Sequence, residues 1–143
     1  VMAGERVLPI DVCPDLRAHT IVINVPATAF DNNAYDGAFL FYAERDTIVD
    51  AAHAICAVTD ASGDLTLSTG SGAASAGGVP SAGTAISDTI VPGAAGVVKA
   101  FTLTETANLI PAGNWVAIEH TNDTDSEDLL GVMIQLRVRT IRK

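Results

Sequence analysis

The sequence predicts an all-β protein, a jelly-roll-like β-sandwich with an extended N-terminal arm over residues 1–17 and a single domain over 18–143. Three observations predict it. Eight short runs are rich in Val, Ile, Thr and Phe, the residues that suit a pleated surface. Gly, Pro, Asn and Asp punctuate the gaps between them. The last run alternates apolar and wetter residues with a period of two. Short strands joined by such turns bury their apolar faces by stacking two sheets or closing a barrel, and eight strands fit a jelly roll.

Taken in order, the first 17 residues carry Pro9 and Pro14 and read as an extended arm, with apolar Val7, Leu8 and Ile10 as candidate contact residues. Such an arm covers the domain's own edge or reaches a neighbour. Thr20 to Val25 alternates and is β-branched. A turn-like stretch, Asp31 to Gly37, leads into Phe39-Leu40-Phe41-Tyr42. The run from about Thr47 to Val58 is ambiguous. Its alanines, and the spacing of Ile48, Ala52, Ile55 and Val58, fit a helix, whereas the flanking context favours a strand. Leu65 to Ser68 follows the turn signal Ser62-Gly63-Asp64. From Gly70 to Val97 seven Gly, seven Ala and four Ser point to long or closely packed loops, with Thr84 to Val91 a weaker strand.

Val97 to Thr104 reads as a strong strand. Pro111-Ala112-Gly113-Asn114 is a turn, and Trp115 to His120 follows it as a strand. On that strand Trp115, Ala117 and Glu119 share one face, and Val116 and Ile118 take the other. A Trp beside Glu119 marks a partly exposed face, which makes both residues candidate interface anchors. In the closing run, Leu130 to Ile141, the residues Leu130, Val132, Ile134, Leu136 and Val138 form one face. Gly131, Met133, Gln135, Arg137 and Arg139 form the other, and a strand this long belongs inside a sheet.

Composition narrows the function classes. With 48% hydrophobic and 17% charged residues the chain is suited to a packed core and unsuited to disorder. A net charge of -9 repels phosphate backbones, so no nucleic-acid partner is expected. No apolar run reaches the roughly 18 residues of a membrane helix, and the first residues do not read as a signal peptide. The expectation is a protein made in the cytoplasm, with no membrane partner and with Cys13 and Cys56 reduced. Basic residues concentrate at the end, as Arg137, Arg139, Arg142 and Lys143. The acidic stretch just before them includes Asp125 and Glu127, and the two patches read either as a solvated loop and a solvated strand face or as complements that meet between subunits.

No motif carries catalysis. Counted from Asp123, an EF-hand would need Gly at position six and Glu at twelve, where Asp128 and Ile134 stand. His19, His53 and His120 are scattered, and His53 meets Cys56 only if that run is helical. Neither a nucleophile elbow nor a phosphate-binding loop is spelled out. The expectation is therefore no enzyme, no cofactor, no metal and no catalytic residue.

The run Ala51 to Val58, the loop with Ala82-Gly83-Thr84, the strand Phe101-Thr102-Leu103-Thr104 and the turn Leu109-Ile110-Pro111-Ala112-Gly113-Asn114 into Trp115-Val116-Ala117-Ile118 form a familiar series. With the acidic loop and Gly131-Val132-Met133-Ile134-Gln135-Leu136, the pattern over roughly residues 37–142 resembles bacteriophage capsid decoration, or cement, proteins. Asn114 stands where such turns often carry Asp. The resemblance implies a homotrimer on the outer surface of the virion that binds the major capsid protein and reinforces the head. The alternative is a head-fibre or tail module that attaches to host glycans. Exposed aromatics or a cation site would favour it, and seven aromatic residues give little of the former.

Overall fold

The computed structural model describes residues 18–26, 36–57, 64–71, 83–121 and 131–141. The arm with Val7, Leu8 and Ile10, the cysteine at 13 and the acidic loop with Asp125 and Glu127 lie outside the described residues. Those described hold nine strands and no helix. They are β1 (His19–Pro26), β2 (Asp36–Tyr42), β3 (Thr47–Cys56), β4 (Asp64–Gly70), β5 (Thr84–Ile90), β6 (Val98–Ala100), β7 (Leu109–Ile110), β8 (Trp115–Thr121) and β9 (Gly131–Thr140). One sheet, A, has the order β1-β9-β3-β6, with β7 also on β3; the other, B, has the order β2-β8-β4-β5.

All the pairings are antiparallel, and four of them nest: β1 with β9, β2 with β8, β3 with β6 and β4 with β5. The chain is thus one long antiparallel ribbon, rolled so that successive pairs fall on alternate sheets. The two sheets pack face to face as a β-sandwich. Period-two alternation supplies the core. Val132, Ile134, Leu136 and Val138 of β9 point inward beside Val49, Ala52, Ala54 and Cys56 of β3. Leu65 and Leu67, Ile86, and Val116 and Ile118 meet them from sheet B. His120 lies on the same inner side of β8 and is fully buried.

The ambiguous run is a strand. β3 pairs with β9 from Thr47↔Thr140 to Cys56↔Val132 and with β6 on its other edge. Two ladders and an alternating buried face outweigh the weak helical preference of its alanines. His53 and Cys56 consequently lie on opposite faces of the strand.

The expected strand over Val97 to Thr104 is divided. Val98–Ala100 pairs with β3, and the Phe101 amide donates to the Ala52 carbonyl. Past that point the chain changes sheets. Asp88 donates its amide to the Thr102 carbonyl, Thr104 donates to Ile86, and the Asp88 carboxylate accepts from the Thr102 amide. The extended character is as expected, but the hydrogen bonds are shared between two sheets, which closes that side of the sandwich. Phe101, buried at the crossing, fills the corner.

The short strand β7 was not expected. Asn108 places it: its backbone carbonyl accepts from the Val49 amide while its side-chain amide donates to the Val49 carbonyl, across the bulge between Val49 and Ala51. The turn after β7 has the expected chemistry. The Asn114 amide donates to Pro111, and Gly113 has φ +92°, the conformation a type II turn demands at its third residue. Asp46 caps it by accepting from the Ala112 amide.

Leu136 is fully buried between Ile21 and Ala52 of the neighbouring strands. Leu136→Ala is expected to lower stability by about 2–5 kcal/mol. Arg137→Ala, at the next and exposed position, is expected to change it by less than about 0.5 kcal/mol. Urea denaturation of the two variants checks the inward–outward assignment of β9.

Candidate interface on the outer sheet faces

With the core filled from the inner faces, the residues left to act on a partner are those the sheets turn outward. On sheet B, Trp115, Ala117 and Glu119 share the outer face, as the alternation requires. The indole does not stand up from the sheet. It folds across β4 and toward β5, where a Cβ on Gly70 would sit 2.4 Å from Cζ2 and one on Gly83 would sit 2.9 Å from Cη2. Two glycines therefore make the bed in which the ring lies. Phe39 of β2 packs edge-on against it, with ring centroids 5.3 Å apart and planes at 78°. Tyr42 is the cross-strand partner of Trp115 and is 63% exposed; Phe39 is 43% exposed. Three of the seven aromatic residues are thus gathered by the β2–β8 register, two of them, Phe39 and Trp115, in ring contact and Tyr42 at the paired position beside them.

Ala117 is fully buried even though it lies on this outer face. Phe39 and Ser68 are its cross-strand partners, and the aromatic cluster roofs it. At the far end of the face the Ser68 hydroxyl donates to Glu119 Oε1 at 2.9 Å, which orients the carboxylate. The hydroxyls of Thr66 and Thr89 pair across β4 and β5 beside it.

Arg137 and Arg139 project from the outer face of sheet A, on the opposite side of the sandwich. Arg139 is engaged within the chain: its Nε lies 3.0 Å from Asp50 Oδ2 and 3.1 Å from Oδ1 on β3. Arg137 is exposed, flanked by Thr20 and Ala51. The rows beyond it turn apolar, passing from Gln135 and His53 to Met133, Ile55 and Val98, of which Val98 is 57% exposed. Leu109 and Val22 add exposed apolar area to sheet A. The candidate interface residues therefore form two separate surfaces, an aromatic-acidic one with Trp115 and Glu119 and an apolar-basic one with Arg137 and Arg139. Sequence reasoning missed Phe39 and Tyr42, because their role comes only from the β2–β8 register.

A hollow of about 490 Å³ opens between the edges of β1 and β2, with Ile21, Phe41 and Val138 as its floor and His19, Glu44 and Arg45 at its lip. Among the described residues no group of three or more His, Cys, Asp or Glu side chains is placed to hold a metal ion. No helix there is long and apolar enough to cross a membrane. No protein-family model matches the chain, and no curated protein matches it at a significant level.

The bed of the indole is testable because Trp115 is the single tryptophan. Gly70→Ala is expected to lift the ring, shift its fluorescence emission to the red and lower stability, since a Cβ there overlaps the ring. An unshifted emission maximum would refute this placement. Asp50→Asn is expected to cost less than about 1 kcal/mol, and less still at high salt, because the pair with Arg139 is solvent-exposed.

Proposed function

We propose that the chain is a non-enzymatic structural protein that decorates and stabilises a tailed-phage head, binding the outer surface of the major capsid protein as a homotrimer. The observation that carries it is the outward placement of large apolar and aromatic side chains, Phe39, Tyr42, Val22, Val98 and Leu109 among them, on a sandwich whose inner faces already fill its core. Such side chains on both broad faces of a small domain are suited to protein contact. The nested pairings support a jelly-roll wrapping of the ribbon. Restriction to a phage head rests on the resemblance over residues 37–142.

The two surfaces bear on how a trimer would be built. Cyclic assembly uses two different patches on each subunit, set at an angle that closes the ring. Patches on opposite faces of a sandwich build an open stack instead. Trp115–Glu119 and Arg137–Arg139 therefore do not serve as the two halves of one ring contact. One broad face is left to meet the capsid or solvent.

A second reading is favoured by a particular observation. The exposed cluster of Phe39, Tyr42 and Trp115 offers π faces of the kind on which sugar rings stack, so a glycan-binding head-fibre or tail module is the alternative. Size-exclusion chromatography with light scattering is expected to give the mass of three chains. Co-sedimentation with phage heads stripped of their decoration protein is expected to recover the chain in the pellet. A chain that stays in the supernatant but is retained by immobilised glycans would replace the first reading with the second.

A further inference from the structure

Charge is divided between the two sheets. The strands of sheet B contain no Lys or Arg, while Asp64, Asp88 and Glu119 lie among them. The strands of sheet A carry Lys99, Arg137 and Arg139 against the single acid Asp50. Lys99 shares the inward register of Ala54, and Arg139 is paired with Asp50. Among the described strands Arg137 is therefore the cation left on the outer face of sheet A, and the aromatic cluster stands on the sheet whose strands carry acids alone.

We propose that the outer face of sheet B docks the basic surface of a protein partner, with arginine side chains of that partner stacked on the Trp115, Phe39 and Tyr42 rings and paired with Glu119. This rests on the reading of the chain as a docking protein, and it names the docking face and the chemistry of what it meets.

Each part of the face suits a guanidinium. The indole lies against Gly70 and Gly83 and is only partly buried, so part of the ring stays at the surface. Phe39 set at 78° to it makes a corner, and Tyr42 flanks it across the strand pair. A cation over such faces is held by the ring quadrupoles. Arginine fits better than lysine because its flat, weakly hydrated head stacks on rings and also forks onto a carboxylate. Glu119 is the carboxylate on this face, and the Ser68 hydroxyl holds it in position while leaving it further acceptor capacity.

The spacing limits the partner. Trp115 and Glu119 are four residues apart on β8, about 13 Å along a strand. One side chain does not serve both, so the partner presents at least two basic residues. Charge also selects against other surfaces. Anionic lipid and nucleic acid are repelled by this side of the molecule, and a neutral glycan gains from the rings but nothing from the polarity.

Emission from the single tryptophan reads the site directly. The probe is a blocked hexapeptide with two arginines, compared with the same peptide carrying citrulline, which keeps the shape and removes the charge. A saturable change is expected with the arginine peptide up to millimolar concentration, weakening as salt is raised. The citrulline peptide is expected to bind about tenfold more weakly. Tyr42→Ala and Glu119→Gln are expected to weaken the arginine peptide while leaving the far-ultraviolet circular dichroism unchanged, since Tyr42 is largely exposed. Equal response to both peptides, no response, or a response only to an N-acetylglucosamine oligomer would overturn the proposal. Co-sedimentation with stripped heads separates the two levels of inference. If wild type pellets and the two variants pellet equally well, the docking face is wrong and the decoration reading stands. If wild type stays in solution, the decoration reading fails, and the peptide titration still judges the face.

Discussion

The register of β9 is the constraint on which the rest of the structure depends. It is the longest strand together with β3, and it lies between β1 and β3. Its inward row, Val132, Ile134, Leu136 and Val138, is buried along its whole length. A slip of one residue would put Arg137 and Arg139 into that row and turn four aliphatic side chains to water. The desolvation of two guanidinium groups makes that alternative prohibitive. With β9 fixed, β1 and β3 are fixed by their ladders to it, and the nested pairing carries the same order outward to β6. Sheet B is joined to this scaffold through the shared core and through the crossing at Phe101, where one extended segment belongs to both sheets.

Much of this was legible because it is written in local alternation. The final strand, the first strand and the Trp115 strand each display a period of two that no neighbour needs to supply. The turn before Trp115 was legible for a similar reason, since Gly113 supplies the positive φ that the turn requires. The run over 46–58 was legible only in context. Its alanines carry little information, and what decides its conformation is pairing with residues about 80 positions further along. The division of the 97–104 run was not legible. An extended segment has the same residue pattern whether its hydrogen bonds go to one sheet or two, and only Asp88 and Ile86 on a distant strand reveal the change.

The aromatic cluster shows the same limit more sharply. From the sequence, Trp115 and Glu119 belong to one half-wet face, and the structure agrees. Phe39 and Tyr42 sit more than 70 residues earlier in a run whose alternation is broken by a bulge between Phe39 and Phe41. Periodicity alone would have placed Phe39 and Phe41 on the same face. The bulge sends Phe39 outward to the indole and Phe41 toward the core. Gly70 and Gly83, which read as loop residues in a Gly-rich stretch, turn out to be where the ring lies. A low count of aromatic residues is therefore a poor guide to exposed aromatic surface; what matters is whether the register gathers them.

The two broad faces differ in more than charge, and the difference bears on assembly. Sheet A offers aliphatic rows around Met133, Ile55 and Val98, suited to side-chain packing against an apolar surface, and it keeps Arg139 paired with Asp50. Sheet B offers rings over a glycine bed, with an oriented carboxylate at one end. An aliphatic face gains chiefly from area removed from water, which makes it tolerant of what covers it. A face of rings and a held carboxylate gains from geometry and sign, which makes it selective. Since opposite faces do not close a ring with one another, a cyclic assembly leaves at least one of them outside its contacts. The proposed division of labour follows from that geometry: whatever surface joins copies of the chain, the aromatic-acidic face is the one equipped to discriminate between partners.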